Sequence, residues 1–235
     1  MSEGDGGFGL PQMSEEEMFS LLLSEDIDRG DSEPAIAAGI GEQMLHMSLR
    51  PLPRSIRARI RDISGRIPAK NAVLIGGGIG HLSAWLLDMW CGDPANPPET
   101  PPPKPDNFRI IEPGGKFGVI IDRLIRRHGA ENWTQIIQMP WNELAAEATS
   151  WSAATAALPQ NAKPSPLPLP IDLVVVDVTE DERASTAKSA FDLLSSGGVL
   201  LVQEPEVPTG DVGVADSPSE MTPVSYTHLT LPTKA

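Results

Sequence analysis

One stretch limits the possible folds more than any other: Ala72-Val73-Leu74-Ile75-Gly76-Gly77-Gly78-Ile79-Gly80-His81-Leu82-Ser83-Ala84-Trp85. It opens with an apolar run that reads as a buried strand and then breaks into glycines. It resumes with apolar residues at Leu82, Trp85, Leu86 and Met89, the spacing of one helix face. Strand, glycine turn and helix make the ligand-binding corner of a doubly wound sheet. Glycines let the chain turn sharply and come close to a ligand, since no Cβ intervenes. The first-turn amides of the helix then face that ligand. A glycine turn also serves as a plain tight connection, so the rest of the chain decides its meaning.

The rest of the chain repeats strand and helix. A second strand is expected at Phe108-Arg109-Ile110-Ile111, ended by Glu112. Pro113-Gly114-Gly115 turns into a helix with Phe117, Ile120, Ile121, Leu124 and Ile125 on its buried face, closed by Gly129. A third strand is expected over 134–139, with a helix from Asn142 as its cap. Ile171-Asp172-Leu173-Val174-Val175-Val176-Asp177 is rich in β-branched residues, as a central parallel strand buried on both faces should be. A helix over 184–194, a turn at Ser195-Ser196-Gly197-Gly198 and a fifth strand over 199–203 complete the series. This order implies an α/β fold: a doubly wound, mostly parallel Rossmann-like sheet with helices on both faces.

Around that domain, placed at 71–223, the chain changes character. Residues 92–106 and 158–170 are proline-rich and read as stiff surface insertions, because proline removes a donor and fixes φ. Residues 1–33 hold ten acids against one base, Arg29, out of 32 acids and 18 bases overall, and read as a largely disordered arm. Ser14-Glu15-Glu16-Glu17 within it suits a short helix start. Residues 34–70 allow two helices, the second with Ile56, Ile60, Ile63 and Ile67 inward and Arg54, Arg57 and Arg61 on the other side. That basic side reads either as a solvated helix face, the preferred reading, or as a meeting point for an anionic substrate or RNA. A formal net charge of −14 argues against a general nucleic-acid binder. With one cysteine, Cys91, no internal disulfide is possible. The acidic N-terminus lacks the form of a signal peptide, and no apolar run approaches a membrane span. The expectation is a soluble, cytoplasmic protein.

Three signals join the glycine corner. Glu112 ends the next strand, where a carboxylate accepts both hydroxyls of an adenosine ribose. Asp177 ends the central strand beside the same crevice. Gly197-Gly198 turns into the last strand. This set resembles the class I S-adenosylmethionine-dependent methyltransferases over about residues 70–204. The resemblance implies S-adenosylmethionine as cofactor, bound by Gly76, Gly78, Gly80, Glu112, Trp141 and Asp177. The phrase His81-Leu82-Ser83-Ala84-Trp85-Leu86-Leu87 and the turn Ile111-Glu112-Pro113 look most like the small-molecule O-methyltransferase branch, so the acceptor is expected to be a small molecule.

Departures from the family pattern keep other readings open. Leu74 stands where the family usually has an acid, two residues before the first glycine. Spermidine synthases, which transfer aminopropyl groups, share an apolar residue there but follow their glycines with Asp, where this chain has Ile79. Met139-Pro140-Trp141 replaces the adenine-contacting acid; Trp141 either stacks on adenine or is a core or rim tryptophan. Metal-dependent members place Asp-Asn after the fifth strand, where Gln203-Glu204 stands here, so Asp177 with Glu204 reads as two solvated acids before it reads as a cation site. No metal is expected. A flavin or nicotinamide fingerprint would want glycine at position 81, which His81 fills. A methyltransferase-like subunit that binds a partner without catalysis is the remaining alternative. The catalytic residue is not identified; Asp177 and His81 are weak candidates for a base, and His81 reads more simply as shaping its helix.

The C-terminal end stands apart. Val224–Leu231 alternates like a strand, yet Val224–Thr233 resembles, residue for residue, the in-frame translation of a transposase adapter used in preparing sequencing libraries. Residues 224–235 are therefore read as a non-native tail, and His228 carries no functional argument. The family's sheet normally ends with two further strands, expected beyond Pro223, so the sheet is expected to stop at five strands with an exposed edge.

Overall fold

The computed structural model describes residues 33–49, 51–100, 102–154 and 165–203. The expected helix at Ser14, Glu204 and the C-terminal tail lie outside them. Six helices and five strands are described: α1 (Ala35–His46), α2 (Arg54–Arg66), β1 (Asn71–Ile75), α3 (His81–Cys91), β2 (Asn107–Ile111), α4 (Gly115–Arg127), β3 (Thr134–Ile137), α5 (Trp141–Ala154), β4 (Ile171–Val176), α6 (Glu180–Asp192) and β5 (Leu194–Val202).

All strand pairs are parallel, in the order β3-β2-β1-β4-β5. The alternation within each strand explains the layers. Leu74, Ile110, Leu173 and Val175 point to one face, where they pack with Ala37, Ala58, Trp85, Leu86 and Ile121 from α1 to α4. Val73, Ile75, Ile111, Val174 and Val176 point to the other, against Trp141, Leu144, Ala148 and Ala190 from α5 and α6. Apolar residues on both faces of one strand require helices on both sides, as a near-continuous apolar run foretells.

The chain moves outward from β1 to β2 and β3, then returns to place β4 on the other side of β1. The strand order therefore reverses between β1 and β4, and a crevice opens at their carboxyl ends. Register brings the site residues there. Ile75 pairs with Ile111 on one side and with Val176 on the other. The next residue of each strand is Gly76, Glu112 and Asp177, so the three sit side by side at the rim of the sheet.

Several boundaries differ from expectation. Helix α5 begins at Trp141, with the Leu144 amide donating to the Pro140 carbonyl at 3.2 Å, so Pro140 and not Asn142 precedes it. Helix α6 starts at Glu180, not residue 184; three acids, Glu180, Asp181 and Glu182, occupy its first turn, where the positive helix end favours them. Strand β3 ends at Ile137. Strand β5 begins at Leu194: the glycines expected to turn instead lie within the strand, where its pairing with β4 is irregular between Ile171 and Leu173. Gly197, at φ +77°, adopts a backbone that glycine takes readily. The second proline-rich insertion is not wholly on the surface, since Leu167 is buried among the residues of the α5–α6 face.

The basic side of α2 also needs correcting. Arg57 and Arg59 are 6% and 3% exposed. Arg61 pairs with Asp62 at 3.0 Å and stands over the Trp85 ring at 5.1 Å. Arg54 reaches Glu33 at 3.3 Å. Arg57 and Arg61 are thus drawn into packing and ion pairs, while Arg54 stays exposed with about half of its side chain accessible (48%), so the solvated-face reading holds for Arg54 alone. Among the described residues no helix is long and apolar enough to cross a membrane.

Candidate active-site cleft

A cleft of about 1010 Å³ lies over the carboxyl ends of β1, β2 and β4. Its walls include Gly76, Gly78, His81, Glu112, Trp141 and Asp177. Five of the six residues expected to bind cofactor thus meet in one cavity, together with His81. The sixth, Gly80, does not line it. Gly80 precedes α3 at φ +93°, and a Cβ there would meet Leu124 of α4 at 3.1 Å, so it governs helix packing.

The glycine corner is built by close approach. Gly76 has φ +94°, and a Cβ on it would come within 2.6 Å of the Asp177 carbonyl carbon. Gly77 has no unusual φ, but its Cβ would press on Ile110 and Ile121, each at 2.8 Å. Sequence reasoning missed its need for glycine, although three consecutive glycines were the available signal. Gly78 differs from both: φ is +50°, and a Cβ would meet nothing within 4 Å. The space beside it is open, and Gly78 lines the cleft.

Glu112 holds this turn in place. Its Oε2 accepts the Gly78 amide at 2.7 Å, and its Oε1 accepts the Gly114 amide at 2.8 Å. The acid that ends β2 therefore ties together the loops after β1 and β2. Each carboxylate oxygen keeps acceptor capacity beyond the amide it takes. The backbone completes the rim: Gly76 and Gly77 amides both donate to the Ile111 carbonyl, at 3.1 and 3.2 Å, and the Asp177 amide donates to the Ile75 carbonyl at 2.8 Å.

Asp177 closes the far side. Burial pushes its carboxyl up to about 6, against the opposing charge of Arg183. Trp141 is 7% exposed, and its indole donates to Ser189 of α6 at 2.8 Å. It packs in the α5–α6 core and also lines the cleft, so its place is compatible with both roles between which the sequence left a choice. Asn142, Thr149, Ser185 and Thr186 give the same wall hydroxyl and amide groups.

His81 is engaged elsewhere. Its Nε2 lies against both Arg57 Nη1, which can only donate, and Glu33 Oε1, which can only accept, the latter at 3.4 Å. Burial first, then the Arg57 charge, hold the imidazole below its usual range. A base needs a ring nitrogen free to face the substrate, and Nε2 is already engaged by Arg57 and Glu33. The sequence shows Arg57 as one of a basic row, but gives no sign that it is buried with Glu33 and His81, 24 positions away on either side.

No family model matches the chain, and no curated protein matches it. Solved structures do. The O-methyltransferase of Streptomyces achromogenes involved in tomaymycin synthesis, solved with S-adenosylmethionine, aligns with a TM-score of 0.52 at 16% identity, covering 83% of this chain and 81% of that one. A Podospora anserina methyltransferase bound to S-adenosylhomocysteine gives 0.51 at 16%, covering 82% and 72%. A methyltransferase of Geobacter sulfurreducens gives 0.51 at 13%, covering 82% and 79%. The architecture is the Rossmann-like fold of the methyltransferases.

Proposed function

We propose that this chain is an S-adenosylmethionine-dependent methyltransferase acting on a small-molecule acceptor, with a hydroxyl as the favoured methyl acceptor. The observation that carries the reading is the Glu112 clamp: one carboxylate fixes the glycine turn at the switch point of the sheet and keeps acceptor capacity toward the cleft. Two solved structures of this fold hold S-adenosylmethionine or S-adenosylhomocysteine.

The residues present fit that cofactor. The space beside Gly78 is open and Gly78 lines the cleft, so the glycine keeps a cradle clear. Glu112 would take the ribose hydroxyls, and the face of Trp141 would support the adenine. Gly76 and Gly78 would bring the backbone close, with Asp177 opposite. When bound, the cofactor supplies a methyl group activated on a sulfonium. The chain's part is to hold the two reactants in line and exclude water. A carboxyl at about 6, as in Asp177, suits a base that takes a hydroxyl proton near neutral pH. Aminopropyl transfer fits less well, because Ile79 is buried in the core where spermidine synthases carry an acid. A dinucleotide fits less well because His81 fills the place of a third glycine.

The test is calorimetric binding of S-adenosylhomocysteine, with NAD and FAD as controls, to the chain and to its Glu112→Ala variant. Circular dichroism checks that both are folded. Selective binding that disappears with Glu112 supports the reading. Preference for a dinucleotide, or no binding by a folded chain, overturns it.

A further inference from the structure

The roles given above to Gly76, Gly78, Glu112, Trp141 and Asp177 assign no ligand group to the end of the cleft beside α1 and α2. Arg57 reaches it from α2, with Met44 and Leu52 as apolar neighbours on the same wall. The guanidinium is fixed before any ligand arrives. Its Nε donates to the Leu52 carbonyl at 2.9 Å, and its central carbon stands 5.4 Å from the centroid of the Trp85 ring. Nη1 meets Glu33 Oε1 and His81 Nε2. Nη2 makes no hydrogen bond among the described residues.

The grip of Glu33 is therefore incomplete. An arginine fork suits a carboxylate that takes two parallel hydrogen bonds, one from each of two nitrogens. Glu33 offers Arg57 a single oxygen and turns the other to Arg54 at 3.3 Å. An ion pair that served packing alone would have no need to line a ligand-sized cleft next to the glycine corner. We infer that the Arg57 end of the cleft is a carboxylate-binding subsite: Glu33, which pairs with Arg57 without itself lining the cleft, holds the guanidinium in this structure, and a ligand carboxylate entering from the cleft takes Glu33's place and engages both Nη atoms. His81, which follows Gly80 directly, links this subsite to the glycine corner. Met44 and Leu52 suit an apolar, aryl-sized body behind the carboxylate.

The carboxylate has two possible sources: the amino-acid end of the cofactor, which rests on the proposed function, or the acceptor, which does not. The experiment separates them. The full chain and its Glu33→Gln variant are titrated calorimetrically with S-adenosylhomocysteine and with 5′-methylthioadenosine, which shares its nucleoside and thioether but lacks the carboxylate. They are also titrated with benzoate and neutral benzamide. Glu33→Gln removes the competitor, so a carboxylate probe should bind roughly tenfold more tightly while its neutral counterpart is unchanged. A gain confined to S-adenosylhomocysteine assigns the cofactor end, and a gain on benzoate assigns the acceptor. Arg57→Lys keeps the charge but loses the fork, and should reverse the gain. Failure of both nucleosides to bind sinks the cofactor reading while the benzoate arm still judges the subsite. If folded Glu33→Gln protein binds neither carboxylate, or binds both no better than the parent chain, the subsite is refuted.

Discussion

Gly76 and Gly78 stand two residues apart, both at positive φ, yet replacing each by alanine should do different things. At Gly76 the new Cβ would lie 2.6 Å from the Asp177 carbonyl carbon. Ordinary contact needs more than 3.4 Å, so the ends of β1 and β4 must part. The hydrogen bonds from Gly76 to Ile111 and from Asp177 to Ile75 resist that movement. Positive φ costs about 1–2 kcal/mol, and forced backbone displacement about 1–3 kcal/mol more. A loss of about 2–5 kcal/mol is large against a total stability of about 5–15 kcal/mol. With a urea m-value of about 2 kcal/mol/M, the midpoint falls by about 1–2.5 M. Gly78→Ala meets no atom within 4 Å and incurs only the backbone term. Its midpoint should drop by about 0.5–1 M. Gly78 lines the cleft, however, so S-adenosylhomocysteine should bind about tenfold more weakly or worse. Urea melts followed by circular dichroism, with calorimetric titrations of the folded proteins, read both quantities. If the two variants melt together, or Gly78→Ala binds like the parent, the assignment of one glycine to close packing and the other to the ligand is wrong.

Three other residues carry predictions of their own. Asp177 has its folded pKa raised to about 6, so its contribution to stability is present at low pH and lost as pH climbs through that value. The stability of Asp177→Asn relative to the parent should therefore grow between about pH 4 and pH 6 and level off above about pH 7, by up to about 3 kcal/mol. A flat difference in urea melts across that range would remove the raised carboxyl from the account. Trp141→Phe loses the indole bond to Ser189, worth about 1 kcal/mol, and should weaken S-adenosylhomocysteine binding as well as stability. Unchanged affinity with a lower Tm would confine Trp141 to the core. Burial pushes the Cys91 thiol up to about 11, so a disulfide reagent at pH 8 should label the native chain far more slowly than the urea-unfolded chain. Equal rates would contradict its surroundings.

The fold is legible in the sequence because its strongest signals are local. The run Leu173-Val174-Val175-Val176 announces a strand buried on both faces, and β4 is one, with all four residues at most 3% exposed. The glycine run announces a turn that side chains would obstruct, and Gly76, Gly78 and Gly80 all have positive φ. Glu112 and Asp177 are found at one rim because strand ends in a parallel sheet gather there, and the register then sets both beside Gly76. Signals of the wrong scale mislead. Ser195-Ser196-Gly197-Gly198 has turn composition, but pairing with β4 outweighs that preference once a neighbouring strand is present. Helix α6 starts before its apolar pattern does, because its first turn is acidic and its amphipathic spacing is weak.

The arginines of α2 mark where reading by period stops. Helical spacing tells which residues share a side, but not what stands opposite. Spacing puts Arg57 on the polar side of α2, and in the structure its partners are Glu33, at the end of the acidic arm, and His81 of α3. Each is 24 positions from Arg57, and no window of sequence joins them. What makes the burial tolerable is that both arrive together. A buried guanidinium is costly unless paired and hydrogen-bonded; here Glu33 supplies the charge and the Leu52 carbonyl an acceptor, with the His81 ring alongside. The same requirement gives the arm its described anchor, since Glu33 is held by Arg54 and Arg57. A ligand that displaced Glu33 would have to replace that compensation in full. A carboxylate does so, and a neutral group leaves the buried guanidinium without a countercharge. Selectivity for an anion at this end of the cleft is thus a consequence of where Arg57 is buried, and it holds whichever ligand brings the charge.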